Sequence, residues 1–111
     1  MRTTVVFNSF GMGDADNKLS HLLAKNFLTL TLDEKELPKY ICFYAEGIKL
    51  TLNDSPVLEE IKKLEEKGVI ILICKTCSIH YGVLERVSCG TVATMLDIMG
   101  AMNNTDKVIT L

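Results

Sequence analysis

The chain has 111 residues, of which 48% are hydrophobic and 23% charged, with a net charge of −2 at pH 7 and a pI near 5.6. That length suits one domain that buries roughly two-thirds of its unfolded surface, so a core forms without disulfide or metal staples. The mildly acidic balance offers no basic field for nucleic acid, and no apolar run approaches the ~18 residues a membrane-spanning helix needs.

Residues 3–9 (TTVVFNS) are β-branched and predict a first strand. The N-terminal stretch MRTTVVFNSF lacks the apolar run and small-residue cleavage site of a signal peptide. A cytoplasmic protein is therefore expected, with its four cysteines reduced unless they are catalytic or bind metal. Residues 14–33 (DADNKLSHLLAKNFLTLTLD) predict a helix, with Leu19, Leu22, Leu23, Phe27 and Leu30 at helical spacing. Asp16 or Asn17 is placed to cap it. Pro38 closes the connection to a second strand at 40–45 (YICFYA), followed by an ambiguous stretch, EGIKLTLND. Ser55 and Pro56 read as an N-cap and first position of a second helix. Val57, Leu58, Ile61 and Leu64 give it one apolar stripe, and Gly68 stops it. Its Lys and Glu residues read as a solvated face.

Residues 69–74 (VIILIC) are apolar throughout, as in a central parallel strand covered on both faces. A short helix over 76–84, a short strand at 86–88 (RVS), a long helix over 91–104 and a closing strand at 107–111 (KVITL) follow. This alternation predicts a single domain over residues 1–111. Its fold is α/β, a three-layer α/β/α sandwich on a mainly parallel four- or five-stranded sheet.

Sites on open α/β sheets gather where the carboxyl ends of strands meet the following loops. Three segments lead there: NSFGMGDAD, YAEG and CKTCSIHYG, with Cys89 a fourth candidate past the strand at 86–88. Cys74 ends the all-apolar strand and Cys77 falls in the first turn of the next helix. A helix start and the Lys75 cation both favour thiolate over thiol. A thiolate is the nucleophile of disulfide and persulfide chemistry. Positions 74, 77 and 81 share one side of a helical turn. Other readings stand beside this one. Cys74, Cys77, His80 and Cys89 have a metal-like spacing, and CxxC is also a redox motif, although Lys75 and Thr76 are unusual between its cysteines. His80 is either a general base or a plain helix residue, and His21 is expected at a helix flank. Gly11 and Gly13 resemble a phosphate loop only weakly, since Asp14 and Asp16 repel a pyrophosphate; they suit a tight turn instead. Met95, Met99 and Met102, with Leu96 and Ile98, are core or subunit interface.

The order of elements resembles the DsrE/DsrF-like sulfur-relay proteins, most closely the DsrE-type domain of YedF proteins linked to selenium metabolism. The likeness runs through TVVFNS, GMGDADNKL, the stretch from ELPKY to EEKGV, CKTC with YG following, and TDKVITL. It implies an α/β/α fold, trimers or hexamers, and a cysteine at the end of the third strand that accepts sulfane sulfur as a persulfide. Counting back from Gly82, that cysteine is Cys74. YedF-like sequences read CGTC where this chain has Lys75 in place of glycine. Cys77 would resolve the persulfide or share the sulfur. Lys75, Thr76, His80, Tyr81, Cys89, Gly11, Gly13, Glu46 and Gly47 would support the site. No cofactor or metal is implied, because the sulfur rides on the protein. A TusA-like sulfur carrier is the implied partner. The rival is a non-enzymatic oligomeric module that binds a small ligand or a partner at the same edge.

Overall fold

Residues 2–111 are described by a computed structural model. The β-branched and apolar runs form β1 (Thr3–Phe7), β2 (Tyr40–Phe43), β3 (Ile70–Cys74), β4 (Thr91–Ala93) and β5 (Lys107–Thr110). The helices are α1 (Asn17–Leu32), α2 (Leu58–Glu66), α3 (Lys75–His80) and α4 (Met95–Asn103), with 3-10 turns at Ala45–Thr51 and Leu84–Arg86. All five strands are parallel, in the order β4-β3-β2-β1-β5. The register sets Phe7 beside Phe43, Phe43 beside Ile73, and Cys74 beside Ala93, which defines the carboxyl edge.

Alternation along the strands assigns the two faces. Phe7 stacks on Phe43 at 5.3 Å and meets Phe27 of α1 edge-on at 6.3 Å, so the odd-numbered residues of β1 look toward α1. Thr4, on the other face, donates its hydroxyl to the Ala101 carbonyl of α4 at 3.2 Å. The crossover from β4 to β5 spans the sheet from edge to edge, and α4 is the helix it carries over that second face. Ile98 and Ala101 anchor it.

Several expectations change in the structure. The first strand stops at Phe7, and the second stops at Phe43. In α1 the packed residues are Ser20, Ala24 and Leu28, with Phe27 beside them, while Leu19, Leu22, Leu23 and Leu30 are exposed. Small residues win this face because the chain at Gly11 presses against Ser20, where a Cβ on the glycine would collide. Asp16 caps α1 by accepting from the Leu19 N–H at 3.0 Å. The second helix begins at Leu58, later than Ser55 and Pro56, although the Ser55 hydroxyl does accept from the Val57 N–H. Val57, Ile61 and Leu64 are buried as expected. Residues 86–88 form no strand: Val87 makes only an isolated antiparallel bridge to Leu52. The predicted helix over 91–104 is divided. Residues 91–93 pair with β3, and Thr94 then starts α4 with a reciprocal capping box to Asp97.

Candidate functional site

Cys74 is at once the last residue of β3 and the N-cap of α3. The residue is 1% exposed, and its sulfur accepts the Cys77 N–H at 3.4 Å. The Cys77 thiol donates to the same sulfur across 2.9 Å. Both cysteines are free thiols, and Cys77 is the partly exposed one. The pair thus has an inner and an outer sulfur in contact.

The 3-10 turn after β2 closes over this pair. Ala45 holds φ at 51°, a left-handed value that L-residues other than Asn and Asp seldom adopt. In that conformation its N–H points at the Cys77 sulfur, 3.2 Å away. The turn fits against β1 because Gly47 has no side chain: a Cβ there would run into the Phe7 carbonyl. Glu46 pairs with Lys49 at 2.7 Å, and the Lys49 ammonium lies 4.7 Å over the Tyr81 ring. The Lys49 hydrogen bond holds the Glu46 carboxyl below its usual value. Burial, then the Glu46 charge, pushes the Tyr81 hydroxyl upward.

The Cys77 thiol is also raised, first by burial and then by its hydrogen bond to Cys74; the Ala45 N–H acts in the opposite direction without cancelling them. This corrects the expectation of a ready thiolate at that position. A six-residue helix has a weak dipole, and desolvation outweighs it. Lys75 and Thr76 sit exposed on the first turn of α3. His80 is exposed as well, with its ring edge-on to Tyr81 at 5.0 Å.

The expected neighbours divide into two groups. Cys74, Cys77, Tyr81, Glu46 and Gly47 converge at the mouth of β2 and β3. Gly11 and Gly13 lie across β2, on the β1 side, where they turn the chain at φ values of 152° and 85°. Gly13 borders a separate opening of about 310 Å³ with Asn8, Ser9, Asp14 and Leu111. Cys89 is removed from the edge altogether. It precedes β4 instead of following a strand, so it lies toward the strand's amino end, buried, with its thiol directed to the Thr51 carbonyl at 3.9 Å. Burial and the Glu65 charge push that thiol up to about 12. Cys42, enclosed in β2, is raised by burial to about 11. Among the described residues no group of three or more His, Cys, Asp or Glu is placed to hold a metal ion. Two contributors, Ala45 and Lys49, escaped the sequence reading, although Glu46 was in it. Nothing in the residue type of Ala45 signals its backbone, whereas the Glu46–Lys49 spacing of a helical turn was there to be read.

The fold recurs in solved structures of low identity. The YchN protein of E. coli superposes with a TM-score of 0.74 at 18% identity, over 100% of both chains. A conserved protein of unknown function from Bacteroides thetaiotaomicron gives 0.69 at 20% identity, over 98% of this chain and 94% of the other. A protein of unknown function from Methanobacterium thermoautotrophicum gives 0.69 at 16%, over 99% and 98%. Among proteins of curated function, none matches the chain. No helix among the described residues is long and apolar enough to cross a membrane. The family description "DsrE/DsrF-like" fits residues 1–111 without interruption, and the chain accordingly belongs to the DsrE/DsrF-like family, a group associated with sulfur relay.

Proposed function

We infer that this protein accepts sulfane sulfur as a persulfide on the Cys74–Cys77 pair and hands it on. The observation that carries this reading is the paired thiols at the end of β3, one residue buried and the other partly exposed. Exposure favours Cys77, rather than the Cys74 that the resemblance implies, as the sulfur that meets the donor, with Cys74 behind it. A thiol attacks as its thiolate, so loading speeds up as pH rises toward the elevated Cys77 value. The Ala45 N–H steadies the sulfur that becomes charged. Tyr81, with Glu46 and Lys49 around it, borders the approach.

The finer likeness, to the DsrE-type domain of YedF proteins, is supported by the CKTC pair itself. In this reading the work is done in the reducing cytoplasm, and a TusA-like carrier exchanges sulfur with the pair. Self-association belongs to the same proposal. The outward side of α4 carries Met95, Leu96 and Met99, and Leu96, 77% exposed, borders a recess of about 490 Å³ with Leu72 and Tyr40. A second copy seated there would cover these residues; a scattering mass equal to one chain would exclude it.

Chains lacking one or both cysteines of the pair test the sulfur chemistry. After brief exposure to inorganic polysulfide and desalting, a Cys74→Ser chain should gain about 32 Da, one sulfur atom on Cys77. A Cys74→Ser/Cys77→Ser chain should gain nothing. Equal gains in both, or none in the first, would remove the reading.

A further inference from the structure

We propose that the pair does more than carry sulfur: Cys74 discharges it, so that the protein reduces sulfane sulfur to hydrogen sulfide and is left with a Cys74–Cys77 disulfide. The proposal rests on the persulfide reading above and adds a second chemical step to it. Its basis is the contact between the sulfurs. Their separation of 2.9 Å exceeds a disulfide bond of roughly 2.05 Å by less than one ångström. A sulfur loaded on Cys77 therefore sits on an atom that already touches a second thiol.

The arrangement also has a direction. Cys74 is buried behind Cys77, held there by the Cys77 N–H and by its place as the cap of α3. Displacement at sulfur needs the leaving group opposite the attacker, and of the two cysteines Cys77 is the one partly open to solvent. The Ala45 N–H restrains the Cys77 sulfur while this happens.

The steps balance as follows. A donor RSSH and the Cys77 thiol give Cys77–S–SH and RSH; the S–S bond of the donor breaks, and a new one forms to Cys77. The Cys74 sulfur, its proton lost to water, then attacks the Cys77 sulfur. The Cys74–Cys77 bond forms, the bond to the outer sulfur breaks, and HS⁻ departs to take up a proton. The sulfane sulfur gains two electrons and the two cysteines together lose two. A thiol reductant, either two equivalents of a low-molecular-weight thiol or one protein dithiol, reopens the disulfide and resets the pair.

The test follows one turnover on the whole chain. Fully reduced wild type is treated briefly with inorganic polysulfide without other reductant, desalted, and examined by intact mass while sulfide is trapped. The expected wild-type product is a chain about 2 Da lighter than the reduced form, unable to react with iodoacetamide at Cys74 or Cys77, and restored by dithiothreitol. The Cys74→Ser chain, whose serine suits the N-cap position, should keep its added sulfur of about 32 Da and release sulfide only when dithiothreitol is added. Cys74→Ala provides the same comparison without a hydroxyl. Wild type that retains a stable persulfide and forms no disulfide overturns the discharge step and leaves the carrier reading standing. Failure of every chain to take up sulfur overturns both.

Discussion

Ala45 occupies backbone space that costs an L-residue roughly 1–2 kcal/mol, and its φ of 51° is the one positive value at a non-glycine among the described residues. Strain of this kind gathers where geometry matters more than local comfort, and here it aims an N–H at sulfur. Ala45→Gly should relieve it while preserving the donor. Once the greater unfolded freedom of glycine is subtracted, the gain in unfolding free energy should be roughly 0.5–1 kcal/mol. Urea denaturation measures it, and a loss would show that the methyl group packs usefully. The two cysteines could be read from spacing alone, because a thiol at the end of an all-apolar strand marks a sheet edge. Ala45 could not, because its contribution lies in a dihedral angle and not in a side chain. Cys89 was misplaced for a related reason: its position depended on whether the neighbouring strand came before or after it.

At the scale of elements, the well-marked periods were legible. β3 has an unbroken apolar run, α2 a single stripe, and β5 a short β-branched segment. β4 was not, since three residues are too few for any period to register, and their apolar character merges with that of α4. What separates the two is Thr94, whose hydroxyl accepts the Asp97 N–H at 3.3 Å while the Asp97 carboxylate accepts the Thr94 N–H at 3.0 Å. Thr94→Ala should cost about 1 kcal/mol by removing one half of that box. A thermal or urea midpoint reports it, and Thr94→Ser should recover most of the loss. An unchanged midpoint would mean that packing of Ile98 and Ala101 alone fixes where α4 begins. The apolar face of α1 was misread because leucines surround the helix, and the deciding constraint was closeness to the chain at Gly11.

The molecule as a whole reads as the α/β sandwich its alternation announced. What sequence left open was the strand order, which depends on the long return from β4 to β5. Global stability should carry a signature of the buried thiols. Cys42 and Cys89 are raised to about 11 and about 12 from an ordinary value of 9.0. The folded chain therefore keeps protons that the unfolded chain gives up first. Their contribution is full below pH 9 and is lost as pH rises toward 11 and 12. Unfolding midpoints should fall from pH 8 to pH 10.5, and they should fall less steeply in a Cys42→Ala/Cys89→Ala chain compared with its own value at pH 8. Parallel slopes would show that other groups govern the alkaline limit.

The neighbourhood of β1 has a further consequence for how the protein is born. Thr3 pairs with Lys107 on one side, and Thr4 with Tyr40 on the other. While the chain is being synthesised, β1 lines up with β2 soon after both emerge, yet its opposite flank stays bare until the ribosome has delivered β5. Throughout that interval the nascent sheet presents an open row of amides and carbonyls to any passing extended segment.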